Sequence, residues 1–441
     1  LVAAGMKSGE HRNNNWSDGD CYKWMEAMAA VYAVTGDKDL DERLDRWISV
    51  VAKAQCEDGY ISSNIGCDPG KRFPHPRQHE LYNMGHLLTA ACVHHRATGK
   101  DNFLRIARKL GDYLSDTFVP TPPRLMHFPR NPSVYMGLVE LYRITGQRRY
   151  LETAKVMIGN RGKAPGGTDL SQDHVPLREE SEAVGHAVFA TYLYSGAADV
   201  YAEMDDDSLL RALNRIWTDV TTQNMFITGA VGAERKGHSF RGDDVHEAFL
   251  GDYTLPERSA YCETCANTGN GMWNRRMLTL TGDARYADVM ERVLYNSMIS
   301  ALSADGRGFF YCNPLRWTGE ESGPSLHHKA TRWKVCRCYC CPVQVARTVA
   351  SLHTWAYGVS ENTVWVHLFG GSRLQTKLPD GTPVGLVQET DYPWDGTVKF
   401  TVTEAPARQL TLRLRIPGWS DGATVTINGR KAAVSHQAGS Y

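Results

Sequence analysis

The chain has 441 residues, and 49 Lys+Arg against 49 Asp+Glu leave a formal net charge of +0. Such a length implies two or three domains, or one large helical body with an appendage. Balanced charge without basic runs offers no footprint for a phosphate backbone, and no run approaches the ~20 apolar residues of a spanning helix, so neither nucleic acid nor a membrane is an expected partner.

The opening stretch, "LVAAGMKSGEHRNNNW", lacks the charged start and apolar middle of a secretion signal. Beyond it one pattern returns four times: "VYAVTGDKDLDERL", "HHRATGKDNFLRIA", "LYRITGQRRYLETA" and "LTLTGDARYADVM". In each, an apolar-periodic helix ends at Thr-Gly, the glycine supplies a left-handed residue after the helix, and an amphipathic helix follows within a few positions. Each is an αα-hairpin. "SGAADVYAEMDDDSLLRALNRIW" reads as a fifth, with Asp205 to Asp207 in place of the glycine. A further helix near "PVQVARTVASLHTWAYG" brings the count to about eleven. A solenoid keeps a fixed repeat length, and the spacing here is irregular, so an open array and a closed barrel of hairpins both remain open on periodicity alone.

Turns inside the hairpins are short, whereas the links between them are long and polar, notably residues 223–262 and 302–342. Loops of that length in a compact domain are often functional. After about residue 360 the apolar period shortens to two in "TVWVHLFG", "GTVKFTVTE", "QLTLRLRIP" and "ATVTINGRKAAV", the last with an Asn428-Gly429 hairpin turn. The expected division is therefore a helical domain over 1–358 and a β domain over 359–441. The latter ends at "SHQAGSY" with no obvious closing strand, so its sandwich reads as incomplete.

Seven of the 11 cysteines fall between residues 262 and 341: Cys262, Cys265, Cys312, Cys336, Cys338, Cys340 and Cys341. A secreted disulfide framework is denser, more spread and even in number, and adjacent Cys340 and Cys341 are badly placed to bridge each other. Metal binding or catalysis is the better reading of the cluster. Unpaired thiols suit a reducing cytoplasm, with the periplasm as the alternative.

Three pieces carry the chemistry: "DVHEAF" with Glu247, "AYCETCA" with Glu263 and Cys265, and "CYCCPVQVAR" with Cys340 and Cys341. Zinc accepts thiolate and carboxylate ligands in a tetrahedron, so the two pairs suit one four-ligand set. On residue types alone a structural zinc comes first, because four protein ligands leave no open position for a bound water. The sharper alternative is a zinc-held thiolate that attacks carbon, with Glu247 as the acid protonating the leaving oxygen. Cys262, Cys336 and Cys338 read as buried small residues or neighbours of the site.

"SDGDCYKWMEA", "AQCEDGYISS", "HELYNMGH", "LVELYRITGQRRYLETA", "QDHVPLREESEAVGHAVFATYLYSGAADV", "YCETCA", "FFYCNPL" and "CCPVQVAR" occur in order from about residue 16. Together they resemble glycoside hydrolase family 127, the β-L-arabinofuranosidase-like proteins. The resemblance implies a mainly α fold with an all-β appendage, an (α/α)6 barrel of hairpins followed by a β-sandwich. It implies retaining hydrolysis of β-L-arabinofuranosides with an oligosaccharide as partner, and Zn2+ held by Glu263, Cys265, Cys340 and Cys341. Cys340 then matches the nucleophile and Glu247 the acid/base. His79, His127, His174 and His186, in or beside the long links, become candidate sugar contacts, while His94-His95 and His327-His328 match no metal spacing.

Two departures from the family pattern lie beside the catalytic pair: Val343 and Gln344 where "CCPPN" is common, and Cys312 in "FFYCNPL". They leave room for a related furanose or a branched acidic sugar. Further expectations are that the family's N-terminal strands are missing and that a homo-oligomer is open. Two rivals stand beside this reading. One is a carboxylate-dependent hydrolase or sugar epimerase with a structural zinc, using Asp173, Glu179, Glu180 and Glu182. The other is a carbohydrate-binding protein without turnover.

Overall fold

A computed structural model describes residues 1–12, 14–317, 319, 328–334, 338–432 and 437–441. Cys336 and His327, singled out above, lie outside the described residues, as does the end of "ATVTINGRKAAV". Eleven α-helices occur among the described residues: α1 (Ser17–Thr35), α2 (Lys38–Ala54), α3 (Glu80–Thr98), α4 (Asn102–Phe118), α5 (Ser133–Thr145), α6 (Arg148–Asn160), α7 (Ala187–Met204), α8 (Asp207–Asp219), α9 (Thr264–Thr281), α10 (Ala284–Arg292) and α11 (Cys340–Ser351). None is long and apolar enough to cross a membrane.

The Thr-Gly stops behave as read: Gly36, Gly99 and Gly146 take φ of 64°, 71° and 70° and cap α1, α3 and α5, and Gly282, after α9, takes 65°. After α7 the left-handed position falls to Asp205, at φ 50°, an acidic residue in glycine's role. Helices α2, α4, α6 and α8 carry an apolar stripe, whereas α3 and α7 are buried around nearly their whole circumference. That contrast makes α1, α3, α5 and α7 the inner layer and α2, α4, α6 and α8 the outer. Helices α1, α3, α5 and α7 pack in sequence against one another, the inner staves of an α/α barrel. α3 and α5 meet at Gly85 and Gly137, where a Cβ on Gly137 would lie 2.6 Å from the Gly85 carbonyl oxygen.

The chain divides into two compact units, Leu1–Trp273 with Val293–Ala350, and Asn274–Arg292 with Ser351–Tyr441. The first holds the inner layer and a small sheet that periodicity did not reveal: β1 (Gly185–His186), β2 (Glu234–His238) and β3 (Asp244–Phe249), antiparallel in the order β1-β3-β2. The second holds β4 (Tyr357–Ser360), β5 (Thr363–Val366), β6 (Ser372–Lys377), β7 (Pro383–Glu389), β8 (Lys399–Glu404), β9 (Thr411–Leu414), β10 (Thr426–Ile427) and β11 (Arg430–Lys431). β4-β5-β9 and β6-β7-β8 enclose a core of Val364, Leu378 and Val384, and β10-β11 turns at Asn428 and Gly429, φ 51° and 78°. Within this unit the buried Arg415 guanidinium is held by Asp288, at 2.5 Å, and Glu291.

One disulfide, Cys56–Cys67, lies outside the seven-cysteine cluster, and eight described cysteines are free.

Candidate active site

Short turns close the hairpins at one end of the inner layer, so the inner helices all begin at the other, where the long links run. His79 precedes α3, His186 caps α7, Glu263 and Cys265 bracket the start of α9, and Cys340 and Cys341 open α11. Helix N-termini present positive dipole ends and unpaired amides, which suits an anionic cluster.

There the four expected ligands meet. One donor atom from each of Glu263, Cys265, Cys340 and Cys341 lies within 4.8 Å of the others. Cys265 Sγ is 3.5 Å from Cys341 Sγ, and Cys340 Sγ is 3.9 Å from Cys341 Sγ. Glu263 Oε1 lies 3.7 Å from Cys340 Sγ and 3.6 Å from Cys341 Sγ. A tetrahedral zinc with ordinary Zn–S and Zn–O bonds has S–S and S–O edges of about 3.8 and 3.5 Å. Four of the six separations are close to those edges and the others lie within 4.8 Å, so the residues fit the metal in chemistry and approximate spacing.

Crowding four acidic groups in a buried site has an electrostatic cost that shifts their proton affinities. Burial, then the charges of Glu247 and Cys338, pushes the Glu263 carboxyl up to about 8. Contact with Cys265 pushes Cys340 up to about 12, and burial takes Cys341 well above the ordinary thiol range. Only Cys265 goes the other way: burial raises it, but hydrogen bonds from Cys340 and Cys341 hold it at about 7. A divalent cation removes this conflict, since it lets all four ionise at once.

Glu247 reaches the site on β3. Its backbone takes φ 53°, a conformation that costs a non-glycine residue roughly 1–3 kcal/mol. The carboxylate is gripped from both sides: Tyr261 Oη donates to Oε1 at 2.8 Å, and His186 Nε2 lies 2.9 Å from Oε2. Because His186 Nδ1 accepts the Val188 amide at 3.3 Å as the cap of α7, its proton sits on Nε2 and points at Glu247. Burial pushes the Glu247 carboxyl up, yet these partners outweigh it and hold it down at about 2. His186 stacks on Phe189, with ring centroids 3.9 Å apart, and the His79 ring meets Phe189 edge-on at 6.5 Å. Burial holds His79 at about 4, so it is neutral.

The other two expected sugar-contact histidines, His127 and His174, make bonds of their own. His127 binds Asp173 at 2.8 Å through Nδ1 and the Pro165 carbonyl at 3.1 Å through Nε2. His174 Nδ1 lies 3.1 Å from Asp243. Two carboxylates of the rival mechanism are engaged as well: Glu180, together with Asp169, clamps Arg241, and Asp173 holds His127 and the Thr168 amide, while Glu182 is half-buried. Glu179 is exposed.

Several participants carried no signal of their own in the sequence. Tyr261 belongs to "AYCETCA", and Tyr311, in "FFYCNPL", places its hydroxyl 3.5 Å from Cys340 Sγ. Cys338 Sγ is 3.3 Å from Cys340 Sγ, a neighbour of the site, while Cys262 packs among Phe226, Ala230, Ala233 and Ala260 as a small apolar residue. Cys312 pairs in a β-bridge with Glu263. Gln344, one of the two residues that depart from the family pattern, is buried and accepts from Tyr192 Oη at 2.9 Å and Arg347 Nε at 2.8 Å.

Family models described as the catalytic and middle domains of the GH127 β-L-arabinofuranosidases match residues 2–354 and 363–441. A curated relative, the non-reducing end β-L-arabinofuranosidase of Bifidobacterium longum, is 33% identical over 473 residues, covering 99% of this chain and 70% of its own length. The crystal structure of a GH127 β-L-arabinofuranosidase from Geobacillus stearothermophilus T6 superposes with a TM-score of 0.90 at 40% identity, covering 98% of this chain and 70% of that one. A second solved structure, of a GH127 β-arabinofuranosidase, gives a TM-score of 0.87 at 35% identity over 99% of this chain and 70% of its own.

Proposed function

The chain belongs to the GH127 β-L-arabinofuranosidase family and is a glycoside hydrolase, and from that premise we propose that it releases L-arabinofuranose, or a closely related furanose, from plant-derived glycans with retention of configuration. The observation that supports the mechanism is the convergence of Glu263, Cys265, Cys340 and Cys341 within 4.8 Å of one another. A zinc ion there keeps its thiol ligands ionised at neutral pH. Of the three thiol residues we take Cys340 as the one facing substrate; as a whole residue it is the least enclosed of the three, and Tyr311 Oη lies 3.5 Å from its Sγ.

In the first step Cys340 Sγ bonds to the anomeric carbon as the glycosidic C–O bond breaks, and Glu247 delivers a proton to the departing oxygen. In the second, Glu247 takes a proton from water, the oxygen attacks the same carbon, and the sulfur leaves with its electron pair. Two inversions give net retention. His186 and Tyr261 hold Glu247 and return it to the carboxylate form needed in the second step. His79, beside Phe189, is the first proposed contact for a sugar hydroxyl, whereas His186, His127 and His174 reach a sugar only by giving up bonds they now make.

The test is hydrolysis of an aryl β-L-arabinofuranoside by wild type and Cys340→Ser, with the released anomer followed by NMR. Retained configuration in the wild type, and loss of turnover in the variant, is expected. An inverted product, or a fully active Cys340→Ser enzyme, would eliminate the thiolate mechanism.

A further inference from the structure

The segment "SDGDCYKWMEA" has no role in the mechanism above, yet it places a lysine under the nucleophile. Lys23, on α1, has a side chain with no exposure at all, a rare position for lysine. Its Nζ donates to Tyr82 Oη at 2.7 Å and to the main-chain carbonyl of Cys340 at 3.1 Å; the nearest carboxylate, Asp20, is further off at 3.3 Å. An ordinary buried ion pair puts its carboxylate closest. Here the ammonium turns instead toward the first residue of α11.

Charge supplies the reason. Three thiolates and the Glu263 carboxylate bring four negative charges, and a divalent ion brings two positive ones, so the loaded site keeps an excess of two negative charges inside the barrel. Buried uncompensated charge is unfavourable. Arg347, the other buried cation nearby, is already paired with Glu26 at 2.9 Å.

We propose that Lys23 is a positioning residue of this site: its ammonium fixes the main chain of Cys340 and offsets the negative charge of the ligand set, so that the metal and the thiolate are held together. This rests on reading the four-residue set as the metal site.

The test uses the full chain, stripped of metal and titrated with Zn2+ in competition with a chromogenic chelator. Lys23→Met should weaken Zn2+ by about 10–100-fold, the usual effect of losing an outer-shell partner, and lower kcat with KM nearly unchanged. Asp20→Asn removes a negative charge from the same neighbourhood and should leave Zn2+ binding as tight as in wild type, or tighter. A merely structural Lys23–Asp20 pair predicts the opposite, with both variants weakened alike, and that result would overturn the proposal. So would Lys23→Met binding Zn2+ within about twofold of wild type. If Lys23→Met does not fold, Asp20→Asn decides by the same criterion. Failure of wild type to take up one Zn2+ per chain would refute the metal-site reading itself, a different outcome from any of these.

Discussion

Zinc entering the Glu263–Cys265–Cys340–Cys341 set must expel protons, and their number identifies the ligands. In the metal-free protein Cys340, at about 12, and Cys341, pushed well up by burial, both hold their protons at neutral pH. Glu263, at about 8, and Cys265, at about 7, straddle neutrality and share about one proton near pH 7.5. Only deprotonated groups ligate, so one Zn2+ should release about three protons there. The sign follows: apparent affinity rises with pH, by about a thousandfold per unit near neutrality, and less steeply as Glu263 and Cys265 lose their protons. Calorimetric titration of the metal-free chain in buffers of differing ionisation enthalpy gives the proton count directly. Repeating it near pH 9.5 separates a buried set from a loose one, because Cys340 and Cys341 still release about two protons where three ordinary exposed thiols would release less than one. Release near zero at pH 7.5 would place the cation on imidazoles and carboxylates, such as the His186–His246–Glu247 group, and would refute the three-thiolate site.

Glu247→Gln should slow hydrolysis of substrates with poor leaving groups by about a hundred- to ten-thousandfold while sparing the first step on activated aryl glycosides; equal losses on both would argue against a proton-donor role. Tyr261→Phe deletes a hydrogen bond to an ionised carboxylate and should raise the Glu247 carboxyl by about one to two units, read by NMR titration of labelled glutamate. The depressed value of Glu247 contributes stability that is present above the ordinary carboxyl range and lost as pH falls toward about 2; in Tyr261→Phe that contribution shrinks, and its loss ends at a higher pH. Gly137→Ala drives a methyl to 2.6 Å from the Gly85 carbonyl oxygen and 2.8 Å from Leu88 Cβ, so a loss of about 1–3 kcal/mol in denaturant stability is expected, and an unchanged midpoint would contradict the close α3–α5 approach.

The hairpins were legible because their signals are local. A Thr-Gly stop needs only a left-handed residue after a helix, and even the acidic substitute at Asp205 could be read from its place between two periodic segments. The strand pattern of the β domain is local in the same way, and the Asn428-Gly429 turn sits where it was expected. The β1-β3-β2 sheet was missed for the converse reason. β1 is two residues long, and its partner Phe249 lies far along the chain from Gly185, so no period exists to detect. The ligand set was visible as residue types in two links, but its convergence was not: α9 and α11 must start at the same end of the inner layer before Glu263 and Cys341 can meet.

Least legible of all was the electrostatic setting of Glu247. Its left-handed backbone, the proton fixed on His186 Nε2 by the Val188 amide, and the Tyr261 hydroxyl each depend on tertiary placement. Their combined effect bears on both halves of the proposed reaction. Two donors aimed at a carboxylate favour its ionised form, which suits the half in which Glu247 takes a proton from water and works against the half in which it gives one away. A group serving both needs its setting to change between them, and the change available here is chemical. In the proposed mechanism a zinc-held Cys340 would be an anion before the sugar is attached and neutral once its sulfur is bonded to carbon, so repulsion from it would favour a protonated Glu247 in the first half and the two donors would prevail in the second. The proposed mechanism would then tie the alternation between acid and base to the charge on Cys340. This is why leaving-group dependence in Glu247→Gln bears on more than one residue: a variant equally slow on activated and unactivated substrates would remove the acid half, and with it the need for Cys340 to control Glu247 at all.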